Sequence, residues 1–435
     1  MTPQSKIHPR LEQILSGSPR TPGLLTPKAA EIRVIVKHRP QPETLRMAKA
    51  IEGVGAVYRQ LNRLIPGSAL TATPDAIRIL AARPDIDMIW YDEPVHINLD
   101  ESVPLIGAPD VYRAGFTGKN IRVGIVDTGI DPNHPDFAGR IVEFKDFSGD
   151  GTADGHGHGT HVAGIIGGSG AASGGKYRGV AYECLYIIAK ALRNDGAGLM
   201  SDIIAGLDFQ LDQKAQVVNL SLGSSGSSDG TDALSVACDA LVERGVVVCV
   251  AAGNDGPFGR TIGAPGAAHK VITVGATDKR DTIATFSSRG PTSDGRIKPD
   301  LCFPGVEIHS CRANGTSMGK VIDQSYTTAS GTSMATPHAT GSSALLLQVR
   351  PELTPQAIKD ALMNSAQDLG QDAMSQGRGR ARVYAAYQAI VSLAPPPPPP
   401  PPPTPVPPPP QPPPPTPPPT GGGCLQLVKT LFGVK

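Results

Sequence analysis

Three short segments of the chain carry the side chains that nucleophilic catalysis requires. They are Val126-Asp127-Thr128-Gly129, His158-Gly159-Thr160-His161-Val162-Ala163-Gly164 and Gly331-Thr332-Ser333-Met334-Ala335-Thr336-Pro337-His338. A serine hydroxyl becomes an effective nucleophile when an imidazole takes its proton, and a carboxylate then orients the imidazole and stabilises its charged form. The segments therefore supply a candidate carboxylate, base and nucleophile for acyl transfer, in the chain order Asp, His, Ser.

Each candidate lies at the end of a predicted strand or at the start of a predicted helix. The apolar run Ile121–Val126 has the length of a strand, so Asp127 would end a buried parallel strand, where open α/β sheets place their sites. An aspartate there could equally cap a helix or a turn. His158 opens a stretch of small residues that is typical of a tightly packed helix. His156 and His161 are close enough to join it as metal ligands, but the acidic or cysteine partners of a zinc site are missing.

The nucleophile has a competitor, because the motif Gly-Thr-Ser-Met occurs around both Ser317 and Ser333. Ser333 is followed by Pro337 and then by the apolar run Ala344–Leu347, a pattern that favours a buried helix beginning near the serine. Ser317 leads into Gly-Lys-Val-Ile-Asp-Gln, which predicts a surface loop. The positive end of a helix dipole favours a developing oxyanion, so Ser333 is the predicted nucleophile.

The three motifs and their order resemble those of subtilisin-like serine proteases across about residues 100–392, with a weaker resemblance over residues 31–99. The resemblance implies an α/β, subtilisin-like three-layer fold with a mostly parallel central sheet, preceded by a small α+β, ferredoxin-like propeptide domain. It implies that Asp127, His158 and Ser333 form a catalytic triad. The expected activity is that of a serine endopeptidase, which needs no cofactor for its chemistry and acts on protein or peptide substrates.

A fourth polar residue follows the apolar run Gly245–Gly253, which predicts another strand. Asn254 suits a turn, because Asn-Asp-Gly favours one, but the resemblance implies that its amide is the oxyanion-hole donor. The resemblance also assigns substrate binding to two backbone edges that would clamp an extended peptide and to the walls of a pocket. These residues are Gly196, Ala197, Gly198, Ser221, Leu222, Gly223, Ala251, Ala252, Gly253 and Gly263.

The floor of that pocket, Gly263, predicts the substrate preference. Glycine leaves room, and no acidic residue replaces it, so we expect broad specificity with large apolar side chains before the scissile bond. The alternative is that Gly263 is only a turn residue.

The chain divides into five predicted parts. Residues 1–30 are expected to be flexible, and residues 31–99 show strand patterns over 31–37, 69–73 and 88–91 with helical patterns over 42–51 and 74–82. By the resemblance, residues 31–99 are an inhibitory propeptide that is cut near Leu99 and Asp100, so the enzyme would be a self-processing zymogen. An ordinary accessory domain is the alternative. Residues 100–394 form the catalytic domain, followed by a polyproline and glycine linker over 395–423 and a short tail over 424–435.

The sequence allows more than one role for each of the two carboxyl-terminal parts. Pro395–Pro419 is almost pure proline, which predicts an extended polyproline II spacer or a ligand for proline-binding domains. Cys424–Lys435 is amphipathic and basic, so it could dock on a partner or on a membrane surface.

Composition excludes several classes. A net charge of +1 with 18% charged residues gives no electrostatic footprint for nucleic acid. No apolar run reaches the roughly 20 residues that a transmembrane helix needs. Met1–Gly23 lacks the apolar core of a signal peptide, which favours a cytoplasmic location and leaves secretion open. Most of the cysteines read as small buried hydrophobes, with Cys302 and Cys311 as a candidate pair.

A structural calcium ion is the one cofactor that the resemblance suggests. Asp136 matches a calcium-ligand position of the family, but the partner loop Gly167–Gly179 lacks the amide side chain that the family pattern has. The alternative function is a catalytically silent peptide-binding or scaffold protein that uses the protease fold and the proline-rich tail.

Overall fold

The computed structural model describes residues 6–15, 32–38, 55–62, 64–92, 94–97 and 102–393. Met1–Leu393 form one unit of the chain and Ala394–Lys435 a second. The predicted helix over 42–51, the junction at Leu99 and Asp100, the proline-rich linker and the tail all lie outside the described residues.

Helices and strands make up most of the described part of the chain. Within the described residues, the α-helices are α1 (Pro9–Leu15), α2 (Pro74–Ala82), α3 (Ala108–Arg113), α4 (His158–Gly167), α5 (Met200–Asp212), α6 (Ala233–Glu243), α7 (Thr332–Val349), α8 (Pro355–Asn364), α9 (Ala373–Gln376) and α10 (Val383–Val391). The strands there are β1 (Ile32–His38), β2 (Ala56–Asn62), β3 (Gly67–Ala72), β4 (Ile86–Tyr91), β5 (Pro94–Ile97), β6 (Arg122–Asp127), β7 (Ile141–Asp146), β8 (Leu185–Lys190), β9 (Gly198–Leu199), β10 (Val217–Leu220), β11 (Leu222–Gly223), β12 (Val247–Ala251), β13 (Ile272–Thr277), β14 (Leu301–Pro304), β15 (Ile308–Cys311), β16 (Lys320–Val321) and β17 (Tyr326–Ala329). None of the described helices is both long and apolar enough to span a bilayer.

A seven-stranded sheet forms the middle layer, in the order β14-β13-β12-β10-β6-β8-β7, and all of its neighbouring strands are parallel. Its strands are apolar on both faces because helices cover both. Val217 packs in the core cluster that contains α7, α8 and α10, and the next residue, Val218, packs in the cluster that contains α5 and α6. The predicted three-layer α/β fold is confirmed. Since the strands are parallel, β6, β10 and β12 end at the same edge.

The amino-terminal part is a separate antiparallel sheet in the order β2-β3-β1-β4. The predicted strands over 31–37, 69–73 and 88–91 correspond to β1, β3 and β4, and the predicted helix over 74–82 is α2. Strand β2 was not predicted. The ferredoxin-like arrangement stays a prediction, because the region of its first helix lies outside the described residues.

The predicted flexibility of residues 1–30 needs one correction. Residues 6–15 include α1, and Ile7 forms a backbone bridge to Ile89 in β4. Leu11 is fully buried in the core of the amino-terminal sheet. Burial of these apolar side chains is the physical reason that this stretch is ordered.

The amino-terminal sheet packs against the helices α5 and α6 of the catalytic part. The indole Nε1 of Trp90 donates a hydrogen bond of 2.7 Å to the carbonyl of Thr231, which precedes α6. The carboxylate of Asp92 accepts hydrogen bonds from the backbone nitrogen (2.7 Å) and the hydroxyl (2.6 Å) of Ser201 in the first turn of α5. Burial raises the pKa of Asp92 to about 6. These contacts direct the chain after β4 toward the edge of the central sheet.

The cysteines within the described residues are free and buried: Cys184, Cys238, Cys249, Cys302 and Cys311. The candidate pairing of Cys302 with Cys311 is therefore wrong. Cys311 lies in β15. The interpretation of these residues as small buried hydrophobes is confirmed.

Candidate active site

A buried hydrogen bond joins the first two candidate residues. Asp127 ends β6 and His158 begins α4, and His158 Nδ1 lies 2.6 Å from Asp127 Oδ1. Both side chains are almost completely buried. The same carboxylate oxygen accepts a hydrogen bond of 2.7 Å from the backbone nitrogen of Thr128. A buried carboxylate that contacts Nδ1 fixes the tautomer of the imidazole, so Nε2 is the nitrogen available as a base.

The start of α4 approaches the end of β6 very closely, and only glycine permits this. A Cβ atom at Gly159 would lie 2.0 Å from the carbonyl oxygen of Gly129. The distance is far below van der Waals contact, so any larger residue would push α4 away from the strand. Gly159 therefore sets the distance between Asp127 and His158.

Asp154 is a buried residue of the site that the sequence analysis missed. Its Oδ1 accepts hydrogen bonds from the backbone of Gly157 (2.8 Å) and the hydroxyl of Thr128 (2.9 Å). Its Oδ2 accepts from the backbone nitrogen (2.9 Å) and the hydroxyl (2.6 Å) of Thr160. Asp154 thus caps the amino end of α4 and ties it to the end of β6. The available signal was an aspartate shortly before a predicted helix start.

A buried lysine lies beside the same strand end. Lys190 ends β8, in register with Asp127, and its Nζ donates to the carbonyls of Thr128 (2.7 Å) and Leu192 (3.1 Å) and to Oδ1 of Asn194 (2.9 Å). Burial lowers the pKa of Lys190, and nearby carboxylates including those of Asp154 and Asp127 oppose that shift. The ammonium group thus fixes the backbone that follows Asp127.

Ser333 lies in the first turn of α7 and is fully buried. Its Oγ donates a hydrogen bond of 3.0 Å to the carbonyl of Ser221, and Ser221 Oγ donates one of 2.7 Å to the carbonyl of Ser333. Since Asn219 pairs with Ile125 across β10 and β6, Ser221 leaves the sheet beside Asp127. The structure thus brings Ser333, His158 and Asp127 to one edge of the sheet. Ser317 is exposed in a loop, as predicted, but the segment after it is not loop throughout, because Lys320 and Val321 form β16.

Asn254 follows β12 at the same edge. Its Oδ1 accepts hydrogen bonds from the backbone nitrogen and the hydroxyl of Thr332, both at 2.9 Å. Because the oxygen is held by the residue before Ser333, the NH₂ group of the amide is the part that is left to donate elsewhere. This fixed orientation suits a donor to an oxyanion.

An extended segment of the chain occupies the space between the two predicted substrate-binding edges. Strand β5 is the middle strand of a three-stranded antiparallel sheet in the order β11-β5-β9. Ile97 is in register with Leu222 and His96 with Gly223, while Val95 is in register with Gly198. The edges therefore can hold an added strand through backbone pairing.

The other two residues assigned to these edges lie in the turn before β9. Gly196 donates its backbone N–H to the carbonyl of Arg193 at 2.9 Å, and Ala197 accepts from Arg193 at 2.8 Å. Gly196 and Ala197 thus shape the edge without pairing to β5.

A cavity of about 50 Å³ lies next to β11, β12 and Asn254. Four of the predicted pocket residues line it, Ala251, Ala252, Gly253 and Gly263, together with the edge residue Gly223. A Cβ atom at Gly263 would lie 2.0 Å from the carbonyl of Ser224, so the glycine is required by backbone packing as well as by room for a ligand. Asp255, which the sequence analysis did not single out, also lines the cavity and is exposed.

The neighbouring histidines do not form a metal site. His161 is fully buried, its Nε2 lies 3.3 Å from the carbonyl of Ile308, and burial lowers its pKa to about 3. The ring of His156 lies 6.3 Å from that of His158. Among the described residues, the only group of side chains arranged to hold a metal consists of His134, Asp136 and Cys311, and none of the three histidines of the motif belongs to it.

The surroundings of Asp136 do not fit a calcium ion. Its carboxylate accepts hydrogen bonds from the backbone nitrogens of Gly170 and Ala172 (both 3.0 Å), from the hydroxyl of Tyr326 (3.0 and 3.1 Å) and from the thiol of Cys311 (3.4 Å). Burial and the neighbouring carboxylate raise the pKa of Cys311 well above its usual value, so the thiol stays a donor. A cation needs acceptors around it, whereas these groups are donors.

Comparisons with known proteins agree with this geometry. A model of the subtilase family matches residues 118–380. The chain is 41% identical to the serine protease AprX of Bacillus subtilis over 319 residues, covering 67% of this chain and 72% of that protein. It is 34% identical to subtilisin E of the same species over 341 residues, covering 77% and 84% of the two chains.

A solved structure is also similar. Fervidolysin from Fervidobacterium pennivorans, a keratinolytic enzyme related to subtilisin, matches with a TM-score of 0.67 and 25% identity. The match covers 83% of this chain and 62% of fervidolysin. The family, the length of the matches and the shared sheet lead to one conclusion: the chain belongs to the subtilase family and is a subtilisin-like serine endopeptidase.

Proposed function

We propose that the chain hydrolyses peptide bonds through Asp127, His158 and Ser333 and an acyl-enzyme intermediate. The observation that carries this proposal is the buried 2.6 Å hydrogen bond between Asp127 and His158 at the edge where Ser333 begins α7. His158 Nε2 takes the proton of Ser333 Oγ as the oxygen attacks the substrate carbonyl. The same proton then goes to the leaving amine, and a water molecule, activated in the same way, releases the acid and regenerates Ser333.

The charge that develops on the substrate oxygen needs a donor. Asn254 is proposed for this role because its own oxygen is held by Thr332, which directs the NH₂ group to one position. A donor that does not have to reorganise stabilises the oxyanion more than water does. The pocket beside Asn254 would take the side chain before the scissile bond, with an apolar preference.

The triad can be tested with a matched serine control. Ser333→Ala and His158→Ala should each lower kcat about 10⁶-fold, the size known for subtilisin, and Asp127→Ala about 10⁴- to 10⁵-fold. Ser317→Ala should keep nearly full activity, because Ser317 is exposed in a loop. Hydrolysis of a chromogenic peptide measures all four variants. Full activity of Ser333→Ala would contradict the assignment.

The oxyanion proposal predicts a change in one kinetic constant only. Asn254→Ala should lower kcat about 10²- to 10³-fold, the size known for the equivalent subtilisin donor, with little change in KM. The reason is that the amide contacts the substrate oxygen only once it carries charge. A variant that is defective mainly in KM would make Asn254 a substrate-binding residue instead.

We further propose that the amino-terminal part is an inhibitory propeptide and that the chain processes itself near Leu99 and Asp100. Strand β5 supports this, because its backbone pairs with both substrate-binding edges. Trp90 and Asp92 support it too, since they hold the preceding strand on α5 and α6. A segment bound in this way would deliver the next peptide bonds to Ser333 and then stay as a product inhibitor.

Processing predicts two distinct protein products. Ser333→Ala should accumulate as the uncut chain, whereas the wild type and Ser317→Ala should show a new amino terminus within a few residues of Asp100. The isolated amino-terminal fragment should inhibit the mature enzyme. Intact-mass analysis and terminal sequencing measure the products. An enzyme that is fully active with its amino-terminal part uncut would leave that part an accessory domain.

For the cofactor, we propose that the loop beside Asp136 is held by protein hydrogen bonds and not by calcium. The donors from Gly170, Ala172, Tyr326 and Cys311 support this, because they occupy the carboxylate from several sides. No step of the proposed chemistry uses a metal.

If protein hydrogen bonds hold this loop, substitution of Asp136 should destabilise the protein to the same extent with and without a calcium chelator. In a Ser333→Ala background, which prevents self-digestion, Asp136→Asn should lower the free energy of unfolding by about 1 to 3 kcal/mol, because the new NH₂ group faces donors. Thermal unfolding with calcium and with excess EDTA should give the same difference between parent and variant. If the difference in stability between parent and variant disappears in EDTA, Asp136 is a calcium ligand after all.

A further inference from the structure

A buried amide lies behind the nucleophile, on the face of the central sheet that α7 covers. Asn219 is the one polar residue within β10, and its side chain is fully buried. Its neighbours in register are Ile125 in β6 and Cys249 in β12, which both belong to the core cluster that contains α7. Burial of an amide among apolar side chains is unfavourable unless both of its polar ends are hydrogen-bonded.

Two hydroxyl groups satisfy this amide. Thr340 in α7 donates from Oγ1 to Asn219 Oδ1 at 2.9 Å, and Asn219 Nδ2 donates to Ser221 Oγ at 2.9 Å. Ser221 Oγ donates in turn to the carbonyl of Ser333 at 2.7 Å. All four side chains are fully buried. A continuous line of hydrogen bonds therefore runs from Thr340 to the backbone of the nucleophile.

The direction of these bonds follows from the carbonyl at their end. A carbonyl only accepts, so the single proton of the Ser221 hydroxyl is used on Ser333. The amide atom that faces Ser221 must then be the NH₂ group, which places the amide oxygen toward Thr340. Thr340 therefore has to donate to this oxygen, although its hydroxyl also lies 3.3 Å from the carbonyl of Thr336. Loss of the Thr340 donor would thus affect the whole line.

Pro337 explains why the Ser333 carbonyl is open to this donor. In an α-helix, that carbonyl accepts from the backbone nitrogen four residues later, but this residue is Pro337, which has no N–H. The hydroxyl of Ser221 supplies a donor instead. In return, the carbonyl of Ser221 accepts the hydrogen bond of 3.0 Å from Ser333 Oγ. The position of Ser221 thus determines where both the backbone and the nucleophilic oxygen of Ser333 lie.

We propose that Asn219 and Thr340 are positioning residues for the nucleophile. Ser333 and Thr340 lie about two turns apart on one face of α7, so the bond from Thr340 to Asn219 ties the helix to β10 at a second point. Both residues act through Ser221, by holding its hydroxyl on the carbonyl of Ser333. This role rests on the proposed function of Ser333.

The test compares three substitutions in α7 of the full chain. Thr340→Val keeps the shape of the side chain and removes the donor, so kcat for a chromogenic peptide and the rate of labelling by a small fluorophosphonate should both fall about 10- to 100-fold. KM should change little, because the substrate-binding edges β9 and β11 are not altered. Thr340→Ser, which keeps the hydroxyl, should restore both rates. The control is Ser342→Ala, whose hydroxyl donates to the carbonyl of His338 in the same helix at 2.6 Å, and it should keep both rates.

A second measurement does not depend on activity. In a Ser333→Ala background, which keeps the backbone carbonyl and prevents self-digestion, thermal unfolding is measured for Thr340→Val, for Ser221→Ala and for both together. Because both changes break the same line of hydrogen bonds, the combined loss in unfolding midpoint should be smaller than the sum of the two single losses. Ser342→Ala combined with Ser221→Ala should give additive losses.

Together, the two measurements distinguish a positioning role from a merely structural one. A combined loss below the sum, with slower labelling in Thr340→Val and normal labelling in Ser342→Ala, supports the positioning role. Additive losses, unchanged rates in Thr340→Val, or an equal loss of rate in Thr340→Val and Ser342→Ala would overturn it. Full peptide hydrolysis by Ser333→Ala would overturn the proposed nucleophile and the positioning role with it, whereas the coupling in the unfolding midpoints would remain.

Discussion

The rest of the site depends on keeping a carboxylate charged at the buried end of β6. Asp127 is nearly solvent-free, and an unpaired charge in such a position costs several kcal/mol. His158 and the backbone of Thr128 satisfy one of its oxygens, while Oδ2 has no partner within the described residues. The imidazole therefore has to stay at hydrogen-bond distance. The absence of a side chain at Gly159 and the hydrogen bonds that Asp154 accepts achieve this by fixing α4 against the strand.

The parallel sheet explains why one edge combines chemistry with peptide binding. Strands β6, β10 and β12 all end there, so Asp127, Ser221 and Asn254 leave neighbouring strands side by side. The short strands β9 and β11 lie at the same edge, and β5 pairs with both. An unpaired strand edge is a template for another strand. The same physical property would thus serve substrate binding and inhibition by the chain's own amino-terminal part.

Local patterns predicted β6, β12, α4 and α7 and the site residues at their ends, because a strand, a helix start and a turn each depend on near neighbours. They did not reveal Lys190, which reaches the backbone after Asp127 only through the register of β6 and β8, or the hydrogen bond by which Asp154 reaches Thr128. Asp136 resembled a calcium ligand because its local motif matches. Its actual partners include Cys311, which is 175 residues away in the sequence. Long-range contacts of this kind carry no local signal.

The central claim is that Ser333 is activated by His158, and covalent labelling tests it most directly. A fluorophosphonate reacts with a serine only when a base has made the hydroxyl nucleophilic. The account predicts one adduct per chain on the mature enzyme, located by peptide mass spectrometry on the peptide that contains Ser333, and no adduct in His158→Ala. Labelling of Ser317, or failure of the correctly folded wild type to react, would contradict the account and favour a protease fold that only binds peptides.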